Sequence, residues 1–196
     1  MKEKTVLWVA AIVTFACPSA VRGHHSMAMF DIANPMWIKG TVVRYEAVNP
    51  HARIALDQKA PDGSVHRWVV EGPNLNRLGR MNVGIDFLKA GDTIEICGFP
   101  FKGQTPIPDA RGAARPAMHA HVLVMPDGKM RLFGPYGKLA NCIRPNDSAR
   151  LWVEFLDRDP LAREIWCRSG NDVSGSSRTP KAFVDEIDRL IANPCG

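Results

Sequence analysis

The connection between the third and fourth strand-like stretches of this chain is too short to join parallel neighbours, and that narrows the folds open to it. Pro73-Asn74-Leu75-Asn76-Arg77-Leu78-Gly79 supports one helical turn or two, whereas a parallel crossover needs a dozen residues or more. Before it lie three short stretches with strand character. Trp37 to Glu46 carries Val42, Val43 and Tyr45 and ends at Asn49-Pro50. Ala52 to Asp57 closes with Pro61-Asp62-Gly63, and Val65 to Glu71 follows, so the three read as a meander separated by turn residues. After Leu88-Lys89-Ala90-Gly91-Asp92 a fourth strand runs from Thr93 to Gly98, and a fifth runs from His119 to Met125. A Pro126-Asp127-Gly128-Lys129 hairpin and a return strand from Met130 to Phe133 complete the series. Three strands, a short helical link and two more strands is the order of a small five-stranded Greek-key barrel of the OB type. The fold class expected is therefore mainly β, with a half-barrel or small sandwich as the alternative. Gln104 to Pro116, rich in Pro, Gly, Ala and Arg, is expected as a loop on the barrel rim.

From Gly134 onward the pattern turns helical. Asp159-Pro160 is a cap followed by proline and opens a helix over Leu161 to Arg168. Thr179-Pro180 opens another, in which Phe183, Ile187, Leu190 and Ile191 form one stripe, and Asn193-Pro194 stops it. Ser169 to Ser177 between them is a Gly/Ser-rich linker. Residues 134–196 are expected to fold back on a barrel of residues 24–133, with Trp152, Phe155 and Trp166 as apolar surface to bury.

The first residues set the compartment. A charged start, an apolar run from Val6 to Cys17, and Val21-Arg22-Gly23 follow the order of a cleavable secretory signal over residues 1–23. Twelve apolar residues fall short of the roughly 20 that a membrane-spanning helix needs. Cleavage after Gly23 would make His24 the N-terminus, and Ala20 is the competing site. Export makes the expected location periplasmic or secreted, with no membrane span in the mature protein. Cys97, Cys142, Cys167 and Cys195 remain after cleavage, enough for two disulfides in three possible pairings. On strand parity Ile94 and Ile96 share one face and Cys97 takes the other. Cys97 is therefore expected to face outward and to bond the helical tail, leaving the second bridge within the tail.

Function is less constrained. Of 25 basic and 20 acidic residues, the leader removes Lys2, Lys4, Arg22 and Glu3, leaving 22 against 19 and a net charge of +3. That balance, the exported location and strands without interleaved basic and aromatic residues argue against a nucleic-acid partner. The chain has no nucleophile elbow, phosphate-binding glycine loop, zinc-protease helix motif or Cys-x-x-Cys. An enzyme is not indicated, and no catalytic residue is assigned. What remains is six histidines, all in the mature chain: His24, His25, His51, His66, His119 and His121. His24 as an N-terminus would offer an amine beside two imidazoles, donors that favour copper(II), and Met27 and Met29 add soft thioethers. His51 follows a proline turn at a barrel end. His119 and His121 lie two apart on one strand, on the same face, where they read as surface residues beside the rim loop. His66 reads as a structural residue near a sheet edge. The candidate metal ligands are therefore His24, His25 and His51, with His119 and His121 as additions.

His24-His25-Ser26, Gly40-Thr41-Val42, Asn49-Pro50-His51-Ala52, Trp68-Val69-Val70-Glu71-Gly72, Leu88-Lys89-Ala90-Gly91-Asp92 and Pro126-Asp127-Gly128 occur in this order. The set resembles an exported bacterial family known as domain of unknown function 6152, over about residues 24 to 133. The resemblance implies a small secreted β-domain without an established activity, and supplies no catalytic residues. His24, His25 and His51 lie on its pattern; His119, His121 and the cysteine-bearing tail do not. Two functions stay open on this reading. One is a periplasmic metal-binding protein, with copper as the metal, and the other is a non-catalytic module that binds a ligand or an envelope protein partner.

Overall fold

The computed structural model describes residues 27–102, 107–108, 114–134, 136–170, 179–192 and 195. The expected signal peptide, with His24 and His25, lies outside the described residues. Strands β1 (Met36–Glu46), β2 (Arg53–Lys59) and β3 (Val65–Glu71) form the antiparallel meander. Helix α1 (Leu75–Arg80) connects it to β4 (Thr93–Pro100). A two-residue hairpin of β5 (Ile107–Pro108) and β6 (Ala114–Arg115) precedes β7 (Ala117–Val124) and the return strand β8 (Met130–Leu132).

Closure comes from three further pairings. β4 runs antiparallel to both β1 and β7, and β7 pairs in parallel with β3 through Val69–Ala117, Val70–Met118 and Glu71–His119. Five strands therefore form a ring, β3-β2-β1-β4-β7, with the third strand meeting the fifth. This is the connectivity of the OB barrel, and the expected fold class holds.

β1 can serve two neighbours because it bends. Residues 36–41 pair with β4, residues 41–46 pair with β2, and the register slips between Val42 and Arg44, a bulge that sharpens the turn of the strand. Gly40 lies on the inner face of this bend, where a Cβ would sit 2.5 Å from the Asp57 carbonyl oxygen. The alternation places Ile38 and Val42 inside with Ile54, Leu56, Val70, Ile94, Ile96 and Met118. Leu78 of α1, Leu88 and Phe133 join this core.

A second core lies on the outer face of β4 and β7. Cys97 and Val122 point outward into a cluster with Met130, Leu132, Trp152, Phe155, Leu156, Ile165, Trp166, Val184 and Ile187. Met130 and Leu132 come from β8, and the others from α2 (Ala149–Arg158), α3 (Pro160–Ile165), a π turn over Trp166–Gly170 and α4 (Lys181–Leu190); a 3-10 turn over Leu139–Cys142 adds Leu139, Ala140 and Cys142. Each buried indole has a partner: Trp152 Nε1 donates to Asp147 (3.0 Å), Trp166 Nε1 to Asp188 (2.6 Å), and half-buried Trp37 to the Cys142 carbonyl (3.0 Å). Arg144 stacks over Trp37 at 4.3 Å and bonds Glu95 at 2.5 Å. Burial raises the Glu95 carboxyl, but the bonds from Arg144 and Lys39 outweigh it and hold the group below the usual range.

Several local expectations are refined. The described residues between 134 and 148 carry no α-helix; the first described α-helix of the extension is α2, capped by Ser148 onto the Leu151 N–H. Asp159 caps α3 as expected, with Pro160 in its first turn, but the helix passes into a π turn over Trp166–Gly170. In α4 and its C-terminal cap the buried stripe is Val184, Ile187 and Ile191, while Leu190 is exposed. The disulfides are Cys97–Cys142 and Cys167–Cys195, with Cα separations of 5.9 and 5.2 Å, the arrangement expected from strand parity.

Cys97 and Cys142 are both fully buried, and their bridge joins positions 45 apart in sequence. A cross-link of that span lowers the entropy of the unfolded chain by an amount worth up to roughly 4 kcal/mol. The Cys97→Ala/Cys142→Ala variant is therefore expected to lose about 2–4 kcal/mol in urea unfolding. A loss below about 0.5 kcal/mol would show that the extension holds to the barrel without its staple.

Candidate functional site

The barrel end that carries His51 is built by backbone hydrogen bonds between three segments. Ala52 N donates to the Pro73 carbonyl (3.0 Å), Gly72 N to the Ala52 carbonyl (2.8 Å), and Glu71 pairs with His119 across the closing seam. The turn before β2, the exit of β3 and the start of β7 are thereby held together. They enclose a half-open cleft of about 540 Å³, lined by Asn49, His51, Arg77, Arg80, His119 and Tyr136 among others. Two of the candidate ligands, His51 and His119, thus share one cleft.

The two rings are held in the same way. His51 Nδ1 lies 3.2 Å from the Gly72 carbonyl oxygen and His119 Nδ1 lies 2.9 Å from that of Ala120. A carbonyl only accepts, so Nδ1 carries the proton in both rings and the lone pair falls on Nε2. His119 is also packed on two sides, by Phe30 at 5.4 Å and by Tyr136 at 5.2 Å between ring centroids. Phe30 belongs to the N-terminal segment, which is fastened to the end of β4 by the Phe30–Phe101 bridge and by Asp31 N donating to the Pro100 carbonyl (2.8 Å).

His121 is placed differently. The register between β4 and β7 shifts at Cys97/Gly98, which pair with Val122 and Ala120, so His121 is the extra residue of a bulge. Its carbonyl accepts from Phe133 N (2.9 Å) and Gly134 N (3.0 Å), and its Nδ1 donates to the Gly134 carbonyl. Gly98 permits the close approach, since a Cβ there would lie 2.4 Å from the His119 carbonyl oxygen. His121 is fully buried, stacks near Phe99 at 5.3 Å, and its Nε2 is buried without a hydrogen-bond partner. The expectation of surface positions for His119 and His121 is corrected: both are buried, because the N-terminal segment and the chain after β8 cover this face. His66 is exposed near the β2–β3 turn, with Nε2 3.3 Å from the Ser64 hydroxyl.

Burial pushes the pKa of both His119 and His121 down to about 4; hydrogen bonds to backbone carbonyls oppose the shift, while His51 acts against charge on His119, and His119 against charge on His121. The three histidines therefore form an electrostatically linked row from the cleft into the interior. Among the described residues no three His, Cys, Asp or Glu side chains converge as a metal-holding group. A metal at His51 and His119 would take its further donors from elsewhere.

The sequence reading missed Arg77, Arg80, Asn49, Asn74 and Tyr136. Asn74, Arg77 and Arg80 are spaced by three, which puts neighbouring side chains on one side of a helix, so a signal was present in the segment read only as a short connection.

Residues 11–106 match the model of a family of unknown function, DUF6152. That segment is similar to this family, as the motifs in the sequence imply. No curated protein matches the sequence. Among solved structures, the mitochondrial single-stranded DNA binding protein Rim1 from S. cerevisiae is similar at 9% identity, with a TM-score of 0.34 and coverage of 51% of this chain and 96% of that one. Its selenomethionine form gives 8% identity with the same TM-score and coverage. The fold assignment rests on the strand pairing described above.

Protonation of the buried histidines opposes the fold. In the unfolded chain each titrates near 6.5, in the fold near 4, so the unfolded state takes up protons first as pH falls. The stabilising contribution is complete above about pH 6.5 and is lost between about pH 6.5 and 4, at up to about 1.4 kcal/mol per pH unit for each histidine. Urea unfolding across this window should show that slope, and His121→Gln should remove about half of it. A variant with the full wild-type slope would assign the pH dependence to other groups.

Proposed function

We propose that this protein is an exported metal-binding protein of the cell envelope, that copper(II) is its metal, and that His51 and His119 are the fixed ligands. The observation that carries the reading is the matched setting of the two rings in one cleft, each with Nδ1 on a backbone carbonyl. Metal-binding histidines are held in this way, because the outer hydrogen bond fixes the tautomer and aims Nε2. His119 stays neutral down to about pH 4, which keeps its lone pair available.

His24 and His25 complete the donor set in this proposal. His25 precedes Phe30 by five residues, a span of at most about 17 Å, and Phe30 packs against the His119 ring. The histidine pair therefore starts within reach of the cleft. Cleavage after Gly23 would add the α-amine, and amine plus imidazole donors favour copper(II) among divalent ions. His121 serves in this arrangement as a buried neighbour that supports β7 and is not a ligand. The two disulfides and the leader-like start support an oxidising compartment.

Copper titration of protein purified from the periplasm tests the proposal, with intact mass fixing the N-terminus. The wild type should gain roughly 5–10 °C in unfolding temperature at a copper concentration a hundred times its Kd. His51→Ala should weaken binding at least tenfold and abolish most of that gain, and His24→Ala should weaken it as well. Equal affinity in all three proteins would overturn the assignment.

A further inference from the structure

We infer that the cleft beside His51 and His119 also receives a small oxyanion, a carboxylate or phosphate group, on Arg77 and Arg80. The inference goes beyond the metal reading and does not require it, because the arginines carry it. Both guanidinium groups come from α1 and line the same 540 Å³ cleft, a volume within the range of small-molecule sites. Among the described residues neither is in an ion pair. Arg67, in contrast, is bidentate to Asp57 at 2.7 Å, and Arg144 is shared between Glu95 and Asp147. Among the described residues no Asp or Glu lines the cleft. Arg77 is held over the Tyr136 ring at 6.0 Å, a cation–π placement that steadies the guanidinium over the opening.

The amides at the rim have the matching polarity. Asn49 Oδ1 accepts from Leu75 N at 3.2 Å, and Asn74 Oδ1 accepts from Arg77 N at 3.0 Å. Each asparagine thus spends acceptor capacity on the backbone of α1, which leaves its NH2 group as the donor it can offer, and both residues line the cleft. Two guanidinium groups and two amide NH2 groups, with no carboxylate between them, suit an acceptor-only ligand carrying negative charge. A metal ion on neutral imidazoles would add positive charge to the same cleft, so ion and anion would strengthen one another.

The test is calorimetric titration of metal-free wild-type protein with citrate, oxalate and inorganic phosphate, each separately and at low ionic strength. At least one should bind, more weakly as salt is raised. Arg77→Gln/Arg80→Gln should weaken binding at least tenfold, and Arg80→Gln alone should weaken it measurably. Arg131→Gln/Arg189→Gln, which removes two exposed charges elsewhere, should leave binding unchanged. Binding of the carboxylates without phosphate assigns a carboxylate ligand, and the reverse assigns a phosphate. Absence of binding by all three probes, or equal loss in the two double variants, would overturn the inference. Copper titration and thermal unfolding of the Arg77→Gln/Arg80→Gln protein keep the readings apart. Copper binding with no anion binding in the wild type refutes the anion site alone, and anion binding without copper binding refutes the metal site alone.

Discussion

The parallel seam between β3 and β7 is the contact on which both the barrel and the candidate site depend. Only three residue pairs make it, Val69–Ala117, Val70–Met118 and Glu71–His119, yet without them the sheet would keep two open edges and its inner face would lose its enclosure. The seam also sets the cleft. β3 ends beside the Ala52 backbone through the Gly72 and Pro73 bonds, so closure brings β7 to the place where the Asn49-Pro50 turn delivers His51. Two histidines 68 positions apart in sequence become lining residues of one cavity because a short parallel pairing joins the strands that carry them.

Closure alone would leave β7 with an apolar outer face, and all but the last of its residues are buried. The extension covers the half that includes Val122, pinned by Cys97–Cys142 and by the Trp37, Arg144 and Glu95 contacts. The N-terminal segment covers the half that includes His119, through Phe30. His121 sits where the covers meet, in a bulge tied to residues 133 and 134. Its buried, unpartnered Nε2 is a cost of this junction, since a desolvated polar atom without a partner is unfavourable. The bulge in turn lets Ala120 pair with Gly98 and Val122 with Cys97, so Val122, packed in one cluster with the disulfide, and the site residue His119 can share the outer face of β7.

Most of the barrel was legible because its signals are local. Alternation in β1, β2 and β4, turn residues between strands and a link too short for a parallel crossover restrict the connectivity before any long-range contact is known. The outward direction of Cys97, and with it the disulfide pattern, followed from the period of two in β4. His119 and His121 were misread for a related reason: parity tells which residues share a face but not what covers that face, and here the covers arrive from residues 27–31 and from residues beyond 133. A bulge cannot be read from alternation either, since it is the failure of alternation. The helix over Ala149–Arg158 was recoverable from Ser148 and the spacing of Trp152, Phe155 and Leu156. It was absorbed into a general helical expectation because the irregular stretch from Gly134 to Asp147 carries no periodic signal to mark where it starts.

The arginines escaped notice because a sequence does not reveal which cations have found carboxylate partners. Of the cationic side chains on this protein, Arg67, Arg144 and Arg163 are held by acidic neighbours, and in those places charge serves packing. Arg77 and Arg80 differ in what surrounds them, amide groups whose oxygens are already committed to the helix backbone and a tyrosine ring that positions one guanidinium. A short helix whose role in the fold is to place Leu78 in the barrel core therefore leaves its polar side facing the histidine pair. The period of the helix sets that division: the step from 74 to 77 to 80 keeps three polar residues near one another while Leu78 turns inward. The same six residues thus fill the barrel interior and give the cleft its charge. Changes that tune the charge can be made at 77 and 80 without touching the apolar contact at 78.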